Sequence, residues 1–283
     1  MNDLKEIISK SANGRTFDKD LILTEEEIVE LSNQDVGDLD KEDGINCPIC
    51  KNKGFIYYLK DGYRTGKRCT CYKARKSIRA LKESNINADM LQRFTFENFK
   101  VESEWQNKLK QKCINYVENI KNGNNDWLVI SSVSGSGKTH LATAIFQTLI
   151  REKYFDGEYL LWNDFISKII PMSKSVMDTQ QIKYEETMER LANIDILYID
   201  DMLKLSESKY NNDSISMLYK IINQRYINNK ITIITTEFYP EEIEEKDVAT
   251  CGRINEKCNF GKWWLVLKRD PSRNYRMKKR EEF

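Results

Sequence analysis

The fold of this chain is decided by the stretch Leu128-Val-Ile-Ser-Ser-Val-Ser-Gly-Ser-Gly-Lys-Thr-His-Leu-Ala142. Its apolar beginning predicts a strand over Trp127 to Ser131, and a helical pattern begins at Lys138. A glycine-rich loop between a strand and a helix lets backbone N–H groups converge on an anion, and the helix N-terminus adds positive potential there. The stretch therefore predicts a phosphate-binding P-loop, made of Ser132, Val133, Ser134, Gly135, Ser136, Gly137, Lys138 and Thr139.

Lys138 and Thr139 are expected to carry the chemistry of this loop. A lysine at this position reaches the β- and γ-phosphates of a nucleotide, and the hydroxyl beside it ligates Mg²⁺. Ser132 departs from the P-loop pattern, which has its first glycine there. Because that position sets the turn and does not touch phosphate, we expect the serine to be tolerated and ATP to bind with Mg²⁺.

A second motif, Ile194-Asp-Ile-Leu-Tyr-Ile-Asp-Asp201, predicts a buried strand that ends in two carboxylates. Asp-Asp after an apolar run is also a common turn signal, but its position downstream of a P-loop favours a functional role for the two carboxylates. Phosphoryl transfer needs one acid to hold Mg²⁺ and one to orient the attacking water. We assign the metal role to Asp200 and the water role to Asp201.

The order of elements separates this chain from kinases and simple GTPases, which share both motifs. From Trp127 onward, apolar strands alternate with helices, which predicts an α/β fold with a parallel sheet flanked by helices. A further strand, Ile231 to Glu237, ends in polar residues, and Arg253 follows it. This is the order of an AAA+ P-loop NTPase, in which Arg253 would act on the ATP of a neighbouring chain. Taken alone, an arginine at this position is more often a surface salt-bridge residue.

The cysteines predict a small metal module ahead of the ATPase. Cys47-Pro-Ile-Cys50 and Cys69-Thr-Cys71 supply four thiolates, which are enough for a closed tetrahedral Zn²⁺ site. A disulfide is disfavoured because the chain shows no secretion signal and thiols stay reduced in the cytosol, and a redox pair would not need the second pair. We expect the remaining cysteines, and the single histidine, to be structural: Cys113, Cys251, Cys258 and His140.

Charge is distributed unevenly, although the net charge is only +1. Residues 1–46 carry thirteen Asp/Glu against five Lys/Arg, with one predicted helix from Thr24 to Asn33. The block from Lys51 to Glu83 carries eleven basic residues against two acidic ones, and a basic cluster containing Trp263, Trp264 and Tyr275 closes the chain. Such runs are often only solvated faces, but basic residues interleaved with aromatic ones also bind polyanions.

These boundaries predict three regions: an acidic helical interaction segment at 1–46, a basic zinc-binding module at 47–88, and an ATPase domain at 89–283. The longest apolar runs are far shorter than the roughly 20 residues that span a bilayer. We therefore expect no membrane partner and a cytoplasmic location.

Five motifs together resemble the DnaC/DnaI family of replicative helicase loaders. They are Phe94-Thr-Phe-Glu-Asn-Phe99, Gly135-Ser-Gly-Lys-Thr-His-Leu-Ala142, the Asp200-Asp201 strand, Leu218-Tyr-Lys-Ile-Ile-Asn-Gln-Arg-Tyr226 and Gly252-Arg-Ile254. The resemblance implies an AAA+ domain without a developed lid and an N-terminal module that grips a hexameric helicase. It also implies ATP-dependent contact with single-stranded DNA and an arginine-finger role for Arg253. One departure is Glu237, which stands where relatives often place asparagine.

Two alternatives to a helicase loader stay open. An adaptor that binds nucleotide with little turnover has the same motifs, and so does a transposition-associated AAA+ ATPase. The zinc module and the acidic N-terminus favour the loader, because fold alone does not decide function.

Overall fold

The computed structural model describes residues 23–205 and 211–277. The chain divides between Cys69 and Thr70 into two units, and the predicted boundaries at 46 and 88 stay predictions. Part of the predicted acidic segment, residues 1–22, lies outside the described residues. So do the Arg276 side chain and Lys278, Lys279 and Arg280 of the terminal basic cluster. In the described ranges, no helix has the length and apolar character needed to cross a bilayer.

The first unit combines a helix with a β-hairpin. Its elements are α1 (Glu25–Gln34), α2 (Asp40–Asp43), β1 (Phe55–Lys60) and β2 (Tyr63–Arg68). Thr24 caps α1 as predicted: its hydroxyl accepts from the Glu27 N–H at 3.2 Å, and its own N–H donates to the Glu27 carboxylate at 2.8 Å. The hairpin was not predicted, although Asp61-Gly62, both with positive φ, is the turn that favours one.

The second unit is the larger one, and its helices and strands alternate. The helices are α3 (Cys71–Lys82), α4 (Ala88–Arg93), α5 (Glu104–Lys121), α6 (Lys138–Lys153), α7 (Trp162–Ser173), α8 (Asp178–Asn193), α9 (Asn211–Ile227), α10 (Pro240–Lys246) and α11 (Val248–Lys257). The strands are β3 (Leu128–Ser131), β4 (Gly157–Leu161), β5 (Ile196–Met202), β6 (Ile231–Thr236) and β7 (Trp264–Val266). Beyond β7, the described residues form two 3₁₀ turns, Pro271–Arg273 and Tyr275–Met277.

The strands of this unit pair in the order β4-β5-β6-β3-β7, and every pair is parallel. Leu128, Val129 and Ile130 are fully buried, as expected for a parallel sheet covered on both faces. Strand β6, which the sequence predicted as a further strand over Ile231 to Glu237, lies between the P-loop strand β3 and the acidic strand β5. The predicted fold class is confirmed.

Arg225, from the Asn-Gln-Arg-Tyr motif, has a structural role in this sheet. Its side chain is fully buried on α9. The guanidinium donates to the carbonyls of Leu191 and Ile194 before β5, and to Ile231 and the Thr232 hydroxyl in β6. The motif therefore fixes the beginnings of the two central strands, whose far ends carry the candidate site.

The structure corrects the interpretation of the C-terminal tryptophans. Trp263 and Trp264 are 3% and 7% exposed, so they are not available to stack on the bases of a nucleic acid. Their indole N–H groups donate to the Asp126 carboxylate and the Ser131 hydroxyl, each at 3.0 Å. The predicted packing role of Cys113 and Cys258 is confirmed, because both are fully buried.

A buried hydrogen bond between α7 and α9 provides a test of this packing. The Trp162 indole N–H donates to the Ser214 hydroxyl at 2.9 Å, and both residues are fully buried. Ser214→Ala leaves the indole N–H unsatisfied, so we expect it to lower the free energy of unfolding by about 1–3 kcal/mol. Urea unfolding followed by tryptophan fluorescence measures this. Ser216→Ala, at an exposed position of the same helix, is the control, and equal losses in both variants would contradict the assignment.

Candidate nucleotide site and metal centre

The P-loop joins β3 to α6 and has the backbone shape that phosphate binding requires. Gly135 and Gly137 have φ of +73° and +90°, in the left-handed region that glycine adopts without strain. A Cβ on Gly137 would lie 2.7 Å from Cε2 of Phe99. Glycine is therefore needed here both for the turn and for the close approach of the aromatic ring.

Lys138 is 5% exposed and folds back over its own loop. Its Nζ donates to the carbonyls of Ser132 at 2.8 Å and Val133 at 3.0 Å. Burial lowers the pKa of Lys138, while the carboxylates of Glu237 and Asp201 oppose that shift. Within the described residues, the buried Ser136 hydroxyl of the same loop has no hydrogen-bond partner. The Lys138 ammonium contacts neutral carbonyl groups, and the Ser136 hydroxyl has a hydrogen bond to spare. Both groups therefore fit a loop that receives phosphate oxygens.

Asp200 is buried at the carboxyl end of β5 among four hydroxyl groups. Its Oδ1 accepts from Thr139 at 3.1 Å, from Tyr198 at 2.9 Å and from Thr235, and its Oδ2 accepts from Tyr159 at 3.2 Å. Burial raises the pKa of Asp200, and the hydrogen bonds from Thr235, Tyr198 and Thr139 work against that rise. The Thr139 hydroxyl and the Asp200 carboxylate thus converge as the oxygen ligands that Mg²⁺ prefers.

A β-bulge separates the two acids of the strand. The pairing of β5 with β6 shifts register after Ile199, and Asp201 has φ +52°. A bulge interrupts the alternation of side chains along a strand and redirects the next one. Asp200 remains buried, and Asp201 lines the cavity in front of the P-loop. Its backbone N–H donates to the Thr235 hydroxyl at 3.0 Å.

The cavity in front of the P-loop has a volume of about 780 Å³, within the usual range for small-molecule sites. Besides the P-loop and Asp201, its lining includes Phe94, Phe99 and Tyr275. Phe94 stacks on His140 with ring centroids 4.9 Å apart, and Phe99 meets the same ring edge-on. The Tyr275 N–H donates to the Gly135 carbonyl at 3.0 Å. The sequence analysis placed none of these three residues in the site, although Phe94 and Phe99 are the first and last residues of one motif shared with the helicase-loader family.

An ion pair that sequence reasoning missed also lines this cavity. The Lys204 Nζ lies 2.9 Å from Oε1 of Glu237 and 3.4 Å from Oδ2 of Asp201. The hydrogen bond with Glu237 is the main cause that raises the pKa of Lys204. Lys204, in the loop that follows β5, therefore neutralises the Glu237 carboxylate at the end of β6.

Arg253 does not lie among the described residues that line this cavity. It is on α11, where its guanidinium lies over the rings of Tyr219 and Tyr226, at 5.3 and 5.8 Å from their centroids. It also donates to the Ala249 carbonyl at 2.9 Å. The structure therefore does not bring Arg253 to the P-loop of its own chain, and its predicted action on a neighbouring chain stays a prediction.

The structure brings together the four cysteines that the sequence predicted as zinc ligands: Cys47, Cys50, Cys69 and Cys71. Their sulfur atoms lie within 4.8 Å of one another, and all four residues are buried. The distance between the sulfurs of Cys47 and Cys69 is 3.7 Å. Zn–S bonds of about 2.3 Å in a tetrahedron place sulfurs about 3.8 Å apart. The donor set therefore fits Zn²⁺.

Hydrogen bonds to sulfur support this fit. The Gly54 N–H donates to the Cys50 sulfur, and the Arg75 Nε–H donates to the Cys71 sulfur, both at 3.3 Å. Arg75 is fully buried. A buried guanidinium beside a thiolate offsets part of the negative charge that four cysteine ligands bring to a zinc site.

Comparison with known proteins agrees with this arrangement. Residues 90–259 match the family described as Bacterial DnaA ATPase domain. The phage-like element PBSX protein XkdC of Bacillus subtilis (strain 168) is 26% identical over 223 residues, 76% of this chain and 80% of that protein. The replicative helicase loader DnaC of Escherichia coli (strain K12) is 28% identical over 203 residues, 71% of this chain and 78% of that protein.

Among solved structures, the crystal structure of the DnaC helicase loader has a TM-score of 0.51 and 23% identity. The match covers 64% of this chain and 100% of that chain, and it shows a shared fold. The resemblance to DnaC-type AAA+ proteins drawn from the motifs is confirmed.

The cysteine cluster predicts about one Zn²⁺ per chain, because four thiolates close a tetrahedral site. Cys50→Ser and Cys69→Ser should each lose the metal and destabilise residues 47–71, since metal binding provides folding energy to small modules. Elemental analysis of freshly purified, reduced protein measures the metal. Cys251→Ser, at a buried cysteine outside the cluster, is the control and should retain the zinc. Wild-type protein without zinc would remove the assignment.

Proposed function

Because the chain belongs to the Bacterial DnaA ATPase domain family, we propose that it is an ATPase that loads a replicative DNA helicase onto single-stranded DNA. The observation that carries the ATPase part is the convergence of the P-loop, the Asp200–Thr139 pair and Asp201 at one cavity. The similarity to the loader DnaC of Escherichia coli supports the choice of a hexameric helicase as the partner. We expect turnover to be slow and stimulated by that partner.

Each residue of the site has a role that follows from its placement. Lys138 exchanges its loop carbonyls for phosphate oxygens and neutralises their charge. Thr139 and Asp200 hold Mg²⁺, which when bound neutralises charge on the phosphates. Asp201, partly exposed in the cavity, accepts a hydrogen bond from the attacking water and orients it.

Arg253 is proposed to act in trans, on the ATP of a neighbouring chain. Its guanidinium is held by two tyrosine rings and a helix carbonyl, and the side chain remains partly exposed. An arginine presented by a subunit to the nucleotide of the next stabilises the charge of the transferring phosphate. ATP binding would thereby be coupled to self-association through the ATPase domain.

The first unit offers a surface for the single strand. Tyr58 and Lys60 of β1 pair with Thr65 and Tyr63 of β2, and directly paired residues lie on one face of a sheet. Tyr58 and Tyr63 are 37% and 76% exposed, and the Lys67 Nζ lies 5.4 Å from the centroid of the Tyr58 ring. Exposed aromatic rings beside lysines stack bases and follow a phosphate backbone. With Trp263 and Trp264 buried, this face offers, within the described part of the chain, an aromatic and basic surface that fits a single strand.

Variants of the site test the ATPase. Lys138→Ala should abolish ATP binding, because it removes the charge that faces the phosphates. Asp201→Asn should bind ATP and lose turnover, and Arg253→Ala should keep the ATP affinity of a single chain while losing turnover in the assembled state. Nucleotide titrations and phosphate release measure these effects. Lys153→Ala, at the exposed end of the P-loop helix, is the control. Equal hydrolysis by wild type and Lys138→Ala would contradict the site.

Loading is tested by capturing a hexameric replicative helicase on a labelled single strand. With ATP, the wild-type chain should bring the helicase onto the strand, and its own affinity should fall with salt at a log-log slope of about −0.7 per phosphate contact. The double variant Tyr58→Ala/Tyr63→Ala should weaken strand binding at least about fivefold, since stacking contributes about 1–3 kcal/mol per base.

Tyr184→Ala is the matched control for this experiment. The Lys220 Nζ lies 5.9 Å from the centroid of the Tyr184 ring, so the pair resembles Tyr58 and Lys67 but belongs to the other unit. Failure to bind the helicase, with nucleotide turnover intact, would favour the adaptor or the transposition-associated ATPase. If the hairpin and control variants bind the strand equally, the strand does not bind this face.

A further inference from the structure

The carboxylate of Glu237 lies close to the loop that is proposed to bind phosphate. It follows directly after β6, the strand between the P-loop strand and the acidic strand, and it lines the same cavity as Gly135 to Thr139. An isolated carboxylate there would repel the phosphates of a nucleotide. A site that binds a triphosphate therefore needs a cation that compensates for Glu237.

Lys204 is that cation. Its Nζ lies 2.9 Å from Oε1 of Glu237 and 3.4 Å from Oδ2 of Asp201, and about half of its side chain is exposed to solvent. An exposed ammonium with three donors can exchange one carboxylate for another oxygen anion at little cost. Burial is the main cause that lowers the pKa of Lys138, and the positive charge of Lys204 acts in the same direction, against the larger opposing effects of the Glu237 and Asp201 carboxylates.

The backbone holds Lys204 close to the tip of the acidic strand. Asp201 and Leu203 both have positive φ, +52° and +65°, and the Lys204 N–H donates to the Asp201 carbonyl at 3.0 Å. Non-glycine residues in the left-handed region are uncommon and concentrate at functional sites. The strand thus turns sharply after its acids, and the turn keeps the lysine beside the cavity.

We propose that Lys204 is a phosphate-contact residue that reads the terminal phosphate of bound ATP, with Glu237 as its counterion when that phosphate is absent. The inference rests on the proposed ATP-binding function and names the residue pair that distinguishes ATP from ADP. With a triphosphate bound, the ammonium is shared between the carboxylates and the third phosphate. With a diphosphate bound, Lys204 returns to Glu237. The ion pair between the ends of β5 and β6 therefore changes when ATP is hydrolysed.

The test measures the affinities of the full-length chain for a non-hydrolysable ATP analogue and for ADP, both with Mg²⁺, by competition with a fluorescent nucleotide. Lys204→Ala leaves Glu237 uncompensated and should weaken binding of the ATP analogue about tenfold or more, the size of a charge-assisted hydrogen bond. ADP affinity should change less than about threefold on the same scale. Glu237→Gln releases Lys204 and should tighten binding of the ATP analogue.

The double variant Lys204→Ala/Glu237→Gln is the decisive one. It removes the cation together with the charge that the cation compensates. Because Glu237 repels phosphate more strongly when Lys204 is absent, Glu237→Gln should improve binding of the ATP analogue more in the Lys204→Ala background than in the wild type, a non-additivity that independent sites do not show. The matched control is Lys174→Ala, which breaks an ion pair of similar exposure with Asp213, at 2.7 Å and outside the cavity.

Three outcomes overturn the proposal. Equal losses for the ATP analogue and ADP in Lys204→Ala mean that Lys204 does not read the third phosphate, and the ATPase assignment is then unaffected. Additive effects in the double variant mean that Glu237 is not its counterion. Absence of nucleotide binding by the wild type defeats the proposed function and this inference together. If Lys204→Ala does not fold, Glu237→Gln still decides, because unchanged affinity for the ATP analogue contradicts the pairing.

Discussion

The structure of the second unit is organised around one buried carboxylate, that of Asp200. Asp200 is 4% exposed, and a buried charge is costly unless hydrogen bonds compensate for it. The hydroxyls that compensate come from four elements: Thr139 of α6, Tyr159 of β4, Tyr198 of β5 and Thr235 of β6. Satisfying this one group therefore requires the P-loop helix and three neighbouring strands in their observed positions. The contacts that stabilise the sheet are therefore the same contacts that assemble the candidate nucleotide site.

The first unit is stabilised in a different way. Its described buried apolar residues are few: Ile45, Cys47, Cys50 and Cys69. A small region with so little apolar burial gains little hydrophobic energy on folding, and a metal ion at the proposed zinc site would add to it. This leaves the hairpin free to carry exposed aromatic and basic side chains, because none of them is needed for a core. The proposed strand-binding surface thus lies on the unit with little apolar burial, and the candidate nucleotide site lies in the unit with the large apolar core.

The sequence predicted those parts of the site whose residues are neighbours in the chain. Local spacing defines the P-loop, the Asp200-Asp201 pair and the cysteine pairs, and this spacing can be read from the sequence without knowledge of the fold. Tyr159 and Thr235 reach Asp200 only through strand pairing, which a single sequence does not reveal. Lys204 and Glu237 are likewise joined only in space. Trp263 and Trp264 were misread because an aromatic residue beside a lysine has the same pattern whether its ring faces a nucleic acid or a core. The deciding quantity there is burial, which depends on how the short edge strand β7 pairs with β3.

The pairing of β7 and the contact of Tyr275 with Gly135 have a consequence for synthesis on the ribosome. The P-loop strand β3 receives one neighbour from residues 231–236 and the other from residues 264–266, and the loop itself is met by residue 275. Every one of these partners emerges from the exit tunnel more than about 90 residues after β3, which takes several seconds at typical translation rates. During that interval the glycine-rich loop is present without the walls of its cavity. The walls of the cavity are therefore complete only when almost all of the second unit has been made.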